Sequence, residues 1–231
     1  MSMLFNKIKA LWITTLKLLF PDRRSEKRLV FDFSFTPPYE LAQKLSPTFQ
    51  SQNQPSENHI VTCLSYNDPL VRTLVWHIKT KHDRYAFACA AHIMCEKLKH
   101  MQIRVESSTP IIIPIPIHKK RLRERGYNQC ELLAQEIEKN FNIEIRTDIL
   151  FRKYRKENAK KQAFKNRSER HNGIKDIFSV NTTAIKKIPN LASQHIIIID
   201  DVITTGSTIN EAILTLQNAG CKNISGLVLA H

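Results

Sequence analysis

No C-x-x-C pair occurs in this sequence, and its five cysteines (Cys63, Cys89, Cys95, Cys130, Cys221) are an odd number for a chain of 231 residues. Neither a disulfide framework nor a zinc ribbon is expected from that pattern. Cys89, His92 and Cys95 have a spacing that invites a metal, but they lie in an alanine-rich stretch that reads as a helix, where core packing is the simpler use. G-x-x-x-x-G-K-[ST] and G-x-G-x-x-G are also missing, so nucleoside triphosphate hydrolysis and dinucleotide binding lack their signatures. No internal repeat is apparent. No apolar run is long and uncharged enough to span a bilayer. The stretch MLFNKIKALWITTLKLLFP (3–21) is broken by Lys17 and has no small-residue cleavage site before Pro21, Arg23 and Arg24, so it is not read as a signal peptide. As a helix it sets Leu4, Ile8, Leu11, Trp12, Leu18 and Leu19 against Lys7, Thr14 and Lys17. Such a stripe packs on the protein, which is its ordinary use, or touches a membrane surface or a partner. The cytoplasm is the default compartment.

Acidic residues are scarce: 21 against 35 basic ones, a net charge of +14. The excess is clustered. Lys119, Lys120, Arg121, Arg123 and Arg125 face only Glu124, and residues 152–170 hold nine Lys or Arg against Glu157 and Glu169. Clusters of this kind mark a surface for phosphate, in a small molecule, nucleic acid or anionic lipid, or else a solubilising charge run.

The polar segment SPTFQSQNQPSEN (46–58) reads as a linker between an N-terminal part, 1–58, and a main domain, 59–231. IVTCLSY (60–66) is a predicted strand. Asp68 with Pro69 starts a helix in which Leu70, Val71, Leu74, Val75 and Ile78 recur at helical spacing. A second helix covers 84–100. PIIIPIPI (110–117) reads as a buried strand, followed by the first basic cluster and a helix containing Leu132, Leu133, Ala134 and Ile137. The last forty residues give strand 196–200, loop 201–207, helix 208–219, a stop at Gly220 and strand 224–230. That is a β-α-β unit, and it makes the domain an α/β fold with a parallel sheet.

IIIIDDVITTGST (196–208) carries the most chemistry. Asp200 and Asp201 fall at the carboxyl end of a parallel strand, the end at which open α/β sheets bind ligands. The helix that follows offers unpartnered amides and its dipole to an anion. Thr204, Thr205, Gly206, Ser207 and Thr208 supply hydroxyls and backbone N–H groups, and Gly206 permits close approach or a positive φ. A sugar with a vicinal diol and a phosphate satisfies both halves: the aspartates accept hydroxyl protons while the loop holds the phosphate.

This stretch resembles the phosphoribosyl pyrophosphate motif of type I phosphoribosyltransferases. IPIPIHKKRLRERGYNQCELLA (113–134) resembles the strand, basic loop and R-G-[FY]-N-Q helix start of the ComF family, whose members include competence proteins for DNA uptake. YNDPLVRTLVWHIK (66–79) is similar to that family's segment ending in a lysine, and Gln162, Arg170 and Phe178 keep the spacing of its Q…R…F segment. The resemblance runs from about residue 60 onward. It departs in two places. LLFP (18–21) is present, but Arg24 stands where the first cysteine of the family's zinc ribbon is expected, so zinc is not carried over. The asparagine of the Q…R segment is displaced, with Asn172 one position early and Gly173 in its place.

The resemblance implies a mainly parallel, twisted sheet flanked by helices, with a short helical N-terminal appendage. It implies binding of phosphoribosyl pyrophosphate, or a ribose 5-phosphate compound, with Mg²⁺. Where the fold catalyses, a nitrogen nucleophile displaces pyrophosphate from C1′, with Asp200 and Asp201 at the ribose. Lys119, Lys120 and Arg121 then neutralise the leaving group, with Lys79 a further candidate. No general base or base-recognition pocket is evident. A second reading is a binding protein of DNA uptake whose basic run, Lys160, Lys161 and Lys165 included, engages single-stranded DNA alongside other uptake proteins, with Tyr154 and Phe164 stacking on bases. A third is a phosphoribosyltransferase of nucleotide metabolism.

Overall fold

The computed structural model describes residues 40, 60–100, 109–141, 143–153 and 176–231. The N-terminal amphipathic helix, the linker with its boundary at 58, and Tyr154, Lys160, Lys161, Gln162, Phe164, Lys165, Arg170, Asn172 and Gly173 lie outside the described residues. All described elements fall within the compact unit Thr36–His231.

Strand β1 (Ile60–Leu64) leads into helix α1 (Pro69–Thr80). Asp68 caps α1: its Oδ1 accepts the Leu70 amide at 2.7 Å, with Pro69 pre-set for the first turn. Val71, Leu74, Val75 and Ile78 form its buried stripe. Asp83 then starts α2 (Arg84–His100), accepting the Tyr85 amide at 3.0 Å on Oδ1 while Oδ2 pairs with His77 at 2.8 Å. Cys89 and Cys95 are buried in the core on this helix. β2 (Ile111–Pro114) is shorter than the expected 110–117, because Pro114 and Pro116 have no amide to continue a ladder. The first basic cluster is a helix rather than a loop. α3 (Lys119–Arg125) has His118 Nδ1 accepting the Lys120 amide at one end and Gly126 in the left-handed region, φ 82°, at the other.

α4 (Gln129–Glu138) and β3 (Glu144–Ile145) follow, then β4 (Leu150–Arg152) and β5 (Phe178–Val180), an antiparallel pair the sequence did not announce. A short α5 (Thr182–Ile185), β6 (His195–Val202), α6 (Ser207–Asn218) and β7 (Asn223–Ala230) complete the order. The main sheet runs β1-β7-β6-β2-β3 with every pairing parallel. Ile196 to Ile199 are fully buried, since β6 is covered on both faces and its apolar run therefore does not alternate. α6 packs against β5, β6 and β7, while α2 and α4 pack on each other and on β7 and β6 respectively. Burying the side chain of a residue such as Ile198 stabilises the fold by about 1.5–3 kcal/mol. Among the described residues no helix is long and apolar enough to cross a membrane.

Candidate functional site

β6 begins one residue before and ends two residues beyond the expected 196–200, so Asp201, expected in the loop, belongs to the strand along with Asp200. Both are buried, at 9% and 4% exposure, and solvation as surface acids is ruled out. Immediately beyond, Thr204 and Thr205 are exposed and Gly206 turns the chain at φ 75° into α6. Gly206 brings no capping side chain. Thr205 Oγ1 lies 2.8 Å from Ser207 Oγ and accepts the Ser207 amide at 3.4 Å, a long contact. The start of α6, with Ser207 and Thr208, therefore presents amides and the positive end of the helix dipole where an anion can lie.

Adjacent residues of a strand turn to opposite faces, and the two carboxylates accordingly have different partners. Asp200 Oδ1 accepts the Asp201 amide at 2.9 Å and lies 3.5 Å from Cys130 Sγ, which donates. Asp201 Oδ1 accepts the Val202 amide at 2.9 Å, and its Oδ2 stands 3.0 Å from the Lys79 ammonium. That Oδ2 is buried, and the Lys79 ammonium is the cation that neutralises it. Burial, and then the Asp201 charge, push the Asp200 carboxyl well above the usual carboxylate range. Burial likewise raises the Cys130 thiol, with Asp200 and Asp201 adding to the shift. Ligand atoms of Cys130, Asp200 and Asp201 lie within 4.8 Å of one another. The carboxylate oxygens suit a hard cation such as Mg²⁺, which commonly takes one or two carboxylates and fills its shell with substrate phosphates and water. A thiol held protonated by burial does not.

Residues 126–130 bracket this pair. Gly126 reverses the chain after α3, and the Tyr127 hydroxyl donates to the Ile78 carbonyl at 2.6 Å, one residue before Lys79. Asn128 caps α4 by accepting the Cys130 amide at 3.1 Å, and its amide group donates to the Ile115 carbonyl at 3.1 Å. α4 is thereby fixed to the end of β2 with Cys130 against Asp200.

Of the expected residues, Lys79 meets Asp201 directly. Lys119, Lys120 and Arg121 are exposed on the first turns of α3. Arg152 was not singled out from the sequence. Its guanidinium lies 5.5 Å from the Phe178 ring centre, and its pKa is lowered by burial and by Arg121 while Asp200 opposes the shift. Arg152 therefore feels the charge of both the first basic cluster and the acid pair. Cys130, Tyr127 and Asn128 were visible only as letters of a motif. A depression of about 570 Å³ lined by Thr109, Glu138, Lys139, Phe141 and Glu144 lies at the opposite, amino end of β2 and β3, away from the acid pair.

Residues 127–231 match the phosphoribosyl transferase domain family. Competence protein F of Haemophilus influenzae is 27% identical over 181 residues, covering 78% of this chain and 76% of that protein. DNA utilization protein YhgH of Escherichia coli O157:H7 is 28% identical over 174 residues, 75% of this chain and 72% of that one. Competence protein ComFC of Bacillus subtilis is 32% identical over 111 residues, 48% of this chain and 39% of that one. The domain match, the parallel sheet and these relatives assign the chain to the ComF family, on the type I phosphoribosyltransferase-like α/β fold.

Proposed function

We propose that this domain binds phosphoribosyl pyrophosphate, or a related ribose 5-phosphate compound, and serves DNA uptake in the manner the names of its relatives indicate. The observation that carries the reading is the buried acid pair at the carboxyl end of β6, running directly into a helix start that has no capping side chain. Asp200 and Asp201 take the ribose hydroxyls, and Thr204 to Thr208 take the 5′-phosphate. Lys119, Lys120, Arg121 and Lys79 face the pyrophosphate. Mg²⁺ held with the ligand by the acid pair supplies neutralisation of the pyrophosphate charge. In a catalytic turn, a nitrogen nucleophile bonds to C1′ as the C1′–O bond breaks. Pyrophosphate leaves with the electron pair, and the displaced nitrogen proton passes to solvent. The chain's part is positioning and charge neutralisation.

The basic run 152–170, with Lys160, Lys161 and Lys165, is proposed from its charge to hold single-stranded DNA in the cytoplasm in company with other uptake proteins. Membrane contact by the N-terminal segment is not favoured. A thermal-shift panel tests the whole reading. A ligand at a hundred times its Kd adds about 2.7 kcal/mol, and in a chain of this size that raises Tm by roughly 5–10 °C. Phosphoribosyl pyrophosphate with Mg²⁺ is expected to give such a shift. A further rise with one nucleobase moves the assignment to nucleotide metabolism, a rise with single-stranded DNA supports DNA handling, and no response to any phosphoribosyl compound refutes the site.

A further inference from the structure

Lys79 occupies the oxygen that a ribose hydroxyl needs. Asp201 Oδ2 is buried, and its one close partner among the described residues is the Lys79 ammonium at 3.0 Å. A neutral hydroxyl arriving there exchanges a charge–charge contact for a hydrogen bond, a poor exchange in a buried setting. The exchange becomes favourable when the ligand brings an anion that takes over the displaced ammonium. Pyrophosphate on C1 does so; a free anomeric hydroxyl does not.

The stem of Lys79 is fixed from behind. It belongs to the last turn of α1, whose final carbonyls have no partner within the helix. The Tyr127 hydroxyl donates to one of them, Ile78 O, at 2.6 Å, and accepts the His82 amide at 3.3 Å. Its ring stacks on His82 with centroids 4.6 Å apart and meets Phe87 edge-on at 6.1 Å. One hydroxyl thus ties the end of α1, and the turn after it, to the residue preceding Asn128. We infer that the Lys79–Asp201 ion pair is a latch selecting pyrophosphorylated ribose over ribose 5-phosphate, and that Tyr127 is the positioning residue that keeps it in register. This inference rests on the phosphoribosyl reading above. The competing account makes Tyr127 a simple staple between two helices, which would alter affinity for both ligands alike.

Calorimetric titration with phosphoribosyl pyrophosphate and with ribose 5-phosphate, each with Mg²⁺, separates the accounts in the parent, Lys79→Met, Tyr127→Phe and the double variant. The parent is expected to prefer the pyrophosphorylated ligand at least tenfold, about 1.4 kcal/mol. Lys79→Met abolishes the preference, weakening the pyrophosphate ligand while ribose 5-phosphate binds as well or better. Tyr127→Phe lowers the preference several-fold with ribose 5-phosphate unchanged, and the double variant loses no more than Lys79→Met alone. If Lys79→Met fails to fold, Lys79→Gln leaves a neutral donor for Oδ2 and serves the same comparison. Equal losses for both ligands in Tyr127→Phe, or fully additive losses in the double variant, overturn the latch. A parent that binds neither ligand removes the phosphoribosyl reading and the latch with it, whereas a preference unaltered in all the variants sinks the latch alone.

Discussion

Gly206→Ala tests the loop at its tightest point. Gly206 holds φ at 75°, and a Cβ there would stand 3.1 Å from Asn210 Nδ2 and 3.5 Å from Ile203 Cδ1. The left-handed region costs an ordinary residue about 1–2 kcal/mol. Alanine recovers part of that by restricting the unfolded chain, which leaves a net loss near 1 kcal/mol. The Asn210 amide is the far end of a side chain and can shift by a few tenths of an ångström, so packing adds little. In a domain of this size about 1 kcal/mol lowers Tm by roughly 2–4 °C. Gly220→Ala is the matched control: its φ is 99°, its Cβ would find only Leu191 Cδ2 at 3.8 Å, and it lies past the other end of α6. Both variants are expected to melt a few degrees early by differential scanning calorimetry, yet only Gly206→Ala should lose protection by phosphoribosyl pyrophosphate. Methyl-bearing loops cannot bring their amides as close to a phosphate. A Gly206→Ala protein that binds like the parent, or a Gly220→Ala protein that loses binding equally, refutes the placement of the phosphate.

Asp200→Ala with Asp201→Ala is expected to abolish binding while Tm moves by only a few degrees, because the buried carboxylates are held at a desolvation cost and Lys79 can reach solvent; retained affinity would remove the acid pair from the site. Elemental analysis of the purified protein should find far less than one zinc per chain, and a stoichiometric amount would redirect attention to Cys89, His92 and Cys95. Lys160→Glu with Lys161→Glu and Lys165→Glu should weaken single-stranded DNA binding across all sequences and flatten its salt dependence, leaving ligand-induced stabilisation intact; unchanged DNA affinity would mark the run as solvated charge. Burial pushes the thiols of Cys63, Cys89 and Cys95 up to about 12 and that of Cys221 to about 11. Between pH 9 and 11 the unfolded chain releases those protons and the folded chain keeps them, so stability falls as pH rises. Urea midpoints that stay flat over that window would contradict the burial of these groups.

The β6-α6-β7 unit was legible because each of its parts has a local cause: a β-branched run for a strand covered on both faces, hydroxyls and Gly206 for the turn, and Gly220 for the stop. α1 was equally plain from Asp68, Pro69 and the spacing of Val71, Leu74, Val75 and Ile78. The basic helix α3 was hidden, since Lys119–Arg125 buries nothing and carries no apolar period; only His118 and Gly126 mark its ends. β4 and β5 are three residues each and pair across 150–180, too short for alternation to speak. Within the site, the sequence placed the two aspartates together at a strand end. Their division, Asp200 to Cys130 and Asp201 to Lys79, depends on side chains far away in sequence that meet only through tertiary packing. Arg152 was invisible for the same reason.

The sheet order also governs how the domain is assembled in time. β1 comes early in the chain but touches the sheet only through β7, where Ile60 pairs with Gly226 and Leu64 with Ala230. Without β7, β1 has no strand to join, and α1, which follows it and bears Lys79, loses its link to the strand that carries Asp201. Pairings at such sequence separation close large loops before any contact offsets the lost entropy, the topology that slows folding most. The segment that carries Lys79 is thus tied to the sheet through Gly226 to Ala230, about 150 positions further along the chain, so a change in β7 that weakens its pairing with β1 is expected to loosen the Lys79–Asp201 contact as well.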